Sequence, residues 1–106
     1  MPMSRPEKAE GLLRAKLNLE TAQLPWKELL RYFAAGMVIA VGSELDLVEV
    51  ALRISNDDKD TVAQWMEERR VARVSDAQAS AWLEADAALW TVVVKPWILV
   101  QAAKPH

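Results

Sequence analysis

Groups that could do chemistry are few in this chain, and the densest set is the acidic corner Asp57, Asp58 and Asp60, with Lys59 among them. Carboxylate oxygens so spaced can ligate a hard cation, but a calcium loop also needs a central glycine and a distal glutamate, and neither is present. The corner falls between two apolar stretches, where short polar side chains bond to nearby backbone, so helix capping is the stronger reading. Asp46 and Glu49 take outward positions and read as a solvated face rather than an acid/base pair. The one histidine, His106, stands at the far end of the sequence, there is no cysteine, and no GxSxG, HExxH or phosphate-loop pattern occurs. The inventory predicts no catalytic residue, no metal site and no cofactor.

Two further groups bear on binding. Arg69, Arg70 and Arg73 form a small basic set that can complement a helix C-terminus and cover apolar surface with their stems, or contact phosphate. Of the five tryptophans, Trp26, Trp65, Trp82 and Trp90 fall on apolar stripes or strand positions and are assigned to the core. Trp97, directly after Pro96, is the one expected to be partly exposed, and tryptophan is enriched where partners dock. Pro96, Trp97 and Ile98 are therefore the candidate surface for a protein partner or a homodimer, and an unpaired strand edge there could serve the same end.

These residues need elements to position them. Leu47, Val50, Ala51 and Ile54 mark one helical stripe, and Ser43 followed by Asp46 resembles a capping box; alternation of Val48, Val50, Leu52 and Ile54 would suit a strand, but the stripe and cap favour helix. A second helix over about 58–69 carries Val62, Ala63, Trp65 and Met66 on one face, with aspartates at its start and arginines at its end. Upstream, Ser4 with Glu7 suggests a cap for a helix to about Glu20, lined on one side by Leu12, Leu13 and Leu17, with Leu24 as a further candidate for that side. Pro25 opens another with Trp26, Leu29, Leu30 and Phe33 in register, which Gly36 closes before a strand at Met37 to Val41. Val71 to Val74 is a brief strand, and Ser75 with Gln78 caps a helix over 76–86.

The run from Leu89 to Gln101 reads as a strand buried on both faces and interrupted by Pro96, for which a bulge or edge position is preferred over a cis turn. A weak echo at a spacing of 33 residues relates Leu29, Phe33, Val38 and Val41 to Val62, Met66, Val71 and Val74, one local pattern used twice.

At 106 residues and 52% apolar, the chain suits one compact α+β domain over 5–101, with a disordered N-terminus at 1–4 and a flexible tail at 102–106. It shows no signal-peptide core and no membrane-length apolar run, which predicts a cytoplasmic protein. The order of about five helices and a small, mostly antiparallel sheet looks like a winged helix-turn-helix. Its second helix would then enter DNA, with Arg69, Arg70 and Arg73 near the backbone. Against that, the net charge is −2 and the would-be reading end carries three aspartates, so nucleic acid is a disfavoured partner.

LDLVEVA at Leu45 to Ala51, NDD at Asn56 to Asp58, the pair Val62 and Trp65, VSDAQASAW at Val74 to Trp82 and VVVKPWILVQ at Val92 to Gln101 carry a resemblance to the bacterial family called domain of unknown function 2288. It spans Leu13 to Gln101. The resemblance implies a small bacterial intracellular protein and supplies no activity, ligand or catalytic residue. The combined expectation is a non-catalytic module acting through protein contacts, with a DNA-binding regulator as the alternative.

Overall fold

The repeated device in this fold is the way its helices end. The structure, a computed structural model, describes residues 6–102, with side chains from residue 9 onward. Helix α1 spans Pro6–Glu20, α2 Leu30–Ala34 after a 3₁₀ turn at Trp26–Leu29, α3 Leu47–Ser55, α4 Lys59–Glu67 and α5 Asp76–Glu84. The last four all close through a residue at positive φ, and Gly36 (φ 76) is the only glycine among Asp57 (58), Arg69 (61) and Asp86 (51). At each, two reversed hydrogen bonds satisfy the final carbonyls: the Gly36 N–H donates to Phe33 and the Met37 N–H to Tyr32, and the same pair recurs from Asp57 and Asp58, Arg69 and Arg70, and Asp86 and Ala87. Gly36 and Arg69 are equivalent positions of the 33-residue echo, so that echo is a shared helix-stop-strand unit.

The strands are β1 Ala22–Pro25, β2 Val38–Val41, β3 Val71–Arg73, β4 Ala88–Val94 and β5 Trp97–Ala102. They form one five-stranded sheet in the order β1-β4-β5-β2-β3, antiparallel except for β2 beside β5. Side-chain alternation sends Ile39, Val41, Val71, Val92, Val94 and Leu99 to one face, where they join Leu17 of α1 and Leu47, Val50, Ala51 and Leu52 of α3. Val38, Val74, Leu89, Ile98 and Val100 face the other way onto Trp26, Leu29 and Ala79. Both sheet faces therefore carry core, and the protein is an α+β fold of three layers.

Several expectations change. The winged-helix arrangement is not confirmed, because Ala22–Pro25 adds a strand the sequence reading left out and the C-terminal run folds back as a β4–β5 hairpin. Val94 pairs with Trp97 across a two-residue Lys95–Pro96 loop with a cis peptide, where the sequence favours a bulge or edge position. The helix alternative for Leu47 to Ile54 is the correct one, but Asp46 rather than Ser43 caps it, accepting the Val48 N–H at 3.0 Å. Ser75 and Gln78 form the expected reciprocal capping box. On α1, Leu13 and Leu17 face inward while Leu12 is 67% exposed. The Ser4–Glu7 cap, the 1–4 segment and all of the 102–106 tail except Ala102, which ends β5, lie outside the described residues.

Candidate protein-contact groove

Helix α4 is anchored at its start by a capping aspartate and a neighbouring arginine. Asp58 caps it, accepting from the Thr61 N–H at 3.3 Å and the Thr61 hydroxyl at 2.9 Å, and lies 3.8 Å from Arg53. Arg53 donates to Glu49 at 2.7 Å, and Glu49 meets Arg14 of α1 at 2.6 Å, so the network links α1, α3 and the start of α4. Burial of the Glu49 carboxyl pushes its pKa up, but hydrogen bonds and charge from Arg14 and Arg53 outweigh that and hold it below the usual glutamate value. Of the corner residues, Asp58 is thus a cap, while Asp57 is the left-handed stop of α3, with Lys59 3.9 Å from its carboxylate. Among the described residues no group of three or more His, Asp or Glu side chains is placed to hold a metal ion.

None of α4's own residues is fully buried. It runs beside β3, a three-residue edge strand, so its apolar stripe has little sheet to lie on. Trp65 reaches the core, but Met66 stays half exposed, and an open groove of about 270 Å³ separates Val62 and Met66 from Ile39 and Val71. Trp97 and Arg73 form its rim, with the Arg73 guanidinium 5.8 Å from the Trp97 ring centre, a cation–π geometry. A second hollow of about 220 Å³ shares Ile54, Val62 and Met66 and opens toward Asp57, Asp58 and Lys59.

The structure thus brings Trp97 and Arg73 together, two residues that sequence reasoning had placed in separate sites. Arg69 and Arg70 are exposed at the α4–β3 turn, Arg70 3.2 Å from Glu68. Pro96 is exposed, whereas Ile98 is only 7% exposed and packs on the opposite sheet face, because neighbours along a strand point to opposite sides. Ile98 therefore cannot share a surface with Trp97. The groove walls Val62 and Met66 belong to the apolar helical face expected of α4; the signal that this face stays open is the strand after it, too short to cover it. Trp90, assigned to the core, is 39% exposed.

Arg73 can pair with a carboxylate, and the groove beneath it can take an apolar side chain. Nothing in the groove converges on a reacting atom.

The family described as protein of unknown function (DUF2288) matches residues 12–102. The NMR solution structure of PA1075 from Pseudomonas aeruginosa is similar to this chain: 39% of residues are identical, 98% of this chain and 100% of that one are covered, and the TM-score is 0.77. No curated protein matches the chain. With the match running from α1 through β5, the chain belongs to the DUF2288 family of proteins of unknown function.

Proposed function

We propose that this protein is a non-catalytic module of the bacterial cytoplasm that engages a protein partner through the groove between α4 and the β3–β5 face. The observation that carries the reading is an apolar slot walled by Val62 and Met66, with Trp97 and Arg73 on its rim. The partner chemistry that fits is an apolar side chain flanked by carboxylates. The slot removes the first from water, while Arg69 and Arg73, neither ion-paired among the described residues, meet the second. A partner could be another protein or a second copy of this chain.

Met66→Glu tests the groove with little risk to the fold, because Met66 is already half exposed. In affinity capture from native cell extract, with oligomer mass measured on the same sample, wild type should retain a protein or self-associate. Met66→Glu should lose that association while melting within about 2 °C of wild type, as surface substitutions do. Identical capture and mass for the two proteins would retire the groove. Capture abolished by nuclease would instead favour the nucleic-acid alternative.

A further inference from the structure

The two hollows along α4 differ in the charge they leave free, and the difference narrows the partner proposed above, a reading on which this inference rests. The hollow beside Ala63 is edged by Asp57, Asp58 and Lys59, but those charges are already matched: Lys59 lies 3.9 Å from Asp57, and Asp58 caps α4 and lies 3.8 Å from Arg53. The slot of about 270 Å³ between Met66 and Val71 is edged by Arg73, which has no ion-pair partner among the described residues. Of the charged side chains lining either hollow, Arg73 is thus the unmatched one.

Arg73 is also held in place. Its guanidinium lies 5.8 Å from the Trp97 ring centre, and its Nη1 reaches the turn that closes α2, 3.8 Å from where a Cβ on Gly36 would lie. A guanidinium placed in this way offers its planar fork to a carboxylate and loses little freedom when one arrives. Lys95, exposed in the loop that leads into Trp97 and also without an ion pair among the described residues, keeps that end of the sheet positive.

The free charge borders the apolar slot itself, so one short piece of a partner must supply both an apolar side chain and a carboxylate. In an extended chain an acidic residue next to an apolar one points to the opposite side. A helix lying in a groove needs a row of apolar anchor pockets, whereas here the free charge serves a single slot. Strand addition is poorly served by the three residues of β3. A chain's last residue carries its side chain and its carboxylate on the same Cα. We propose that the groove holds the C-terminal residue of its partner, with a large apolar side chain in the slot and the terminal carboxylate on Arg73.

Acetylated Gly-Ser-Gly-Ser-Leu with a free terminal carboxylate is the probe, and the same peptide closed as an amide is the control. A third peptide carries leucine between two glutamates, away from either end. Titration of the nitrogen-labelled protein at low salt should give saturable shifts of the Trp97 indole N–H, the Arg73 Nε–H and the Met66 backbone with the free acid. The amide should bind about tenfold more weakly, the scale of one charge-assisted contact. Arg73→Gln should weaken the free acid about tenfold and leave the amide unchanged, a pattern that a loss of slot shape would not give; Arg73 is exposed, so the variant keeps its fold. Equal affinity for acid and amide, tighter binding of the internal acidic peptide, no saturable shift with the free acid, or an unchanged affinity in Arg73→Gln would each overturn the inference. Capture from extract that is still lost in Met66→Glu would then show that the groove engages its partner in another way.

Discussion

At the scale of single residues, the helix stops show where local preference yields to the rest of the fold. A left-handed backbone costs an ordinary residue about 1–2 kcal/mol and costs glycine almost nothing, so Gly36 could be recognised from sequence as a stop and Arg69 could not. Arg69 adopts φ 61 because the chain must turn from α4 into β3 within Glu68, Arg69 and Arg70, held by the Arg69 and Arg70 N–H groups on Met66 and Trp65. Arg69→Gly should therefore stabilise the protein by about 1 kcal/mol, raising the melting temperature by about 4–8 °C for a domain of this size. Calorimetry on the pair measures this directly; an unchanged midpoint would mean that the arginine side chain contributes as much as its backbone costs. Gln101 runs the other way. Gln101→Leu leaves the Gly42 and Leu45 carbonyls without their donor and should cost about 2 kcal/mol or more in chemical denaturation. The carbonyls it serves lie 56 and 59 residues away, so nothing local in the sequence marks Gln101 for that role.

At the scale of elements, α1 shows what periodicity can and cannot reveal. Its inward residues Leu13 and Leu17 follow from the helical stripe, but Leu12 and Leu19 are strongly exposed, so hydrophobicity alone overstates its buried face. Its docking also uses charge, through Arg14 to Glu49 and Arg53 to Glu10, pairs between helices that no single-helix pattern contains. Glu49 makes that docking sensitive to acid. Its folded pKa lies below the unfolded value, so the stabilisation is complete above about pH 5, given a free glutamate pKa of about 4.3, and is lost as pH falls through the folded value. Glu49→Gln should melt below wild type at neutral pH by an amount equivalent to about 1 kcal/mol, the scale of a small surface ion-pair network. Thermal melts from pH 7 down to pH 3 should show the two proteins converging at the acid end. A gap that stays constant with pH would mean that Glu49 acts by shape rather than charge. Strand β1 was missed for a related reason: Ala22–Pro25 has neither alternation nor β-branched residues, and it becomes a strand only because β4 is there to pair with it.

At the scale of the whole molecule, element types were largely readable and their arrangement was not. All five helices and strands β2 and β3 followed from caps, stripes and apolar runs, whereas the β2–β5 and β1–β4 pairings join segments far apart in sequence, and no local signal announces them. Those pairings, with the β4–β5 hairpin, replace the expected small wing by a sheet with core on both faces. The edges of the sheet differ in a way the register makes plain. On β1, Trp26 donates to Ala87 and the pattern alternates, so Pro25 stands at an outward position where it offers no N–H, a common means of discouraging strand addition. On β3, brevity serves that purpose. Electrostatics at this scale are weak: with a net charge of −2 and aspartates at the start of α4, duplex DNA should show no steeply salt-dependent binding in a fluorescence titration. A steep loss of affinity with rising salt would reinstate the regulator reading.

The strand that joins the two halves of the sheet is β5, flanked by β4 on one side and β2 on the other, although it comes last among the described elements. Until Trp97–Ala102 has emerged from the ribosome, the growing chain can form a β1–β4 pair and a β2–β3 pair but has nothing to bridge them. Vectorial synthesis therefore delivers the keystone after both of the pairs it joins, and any product of premature termination ahead of Trp97 would present two open sheet edges to proteases and to its neighbours.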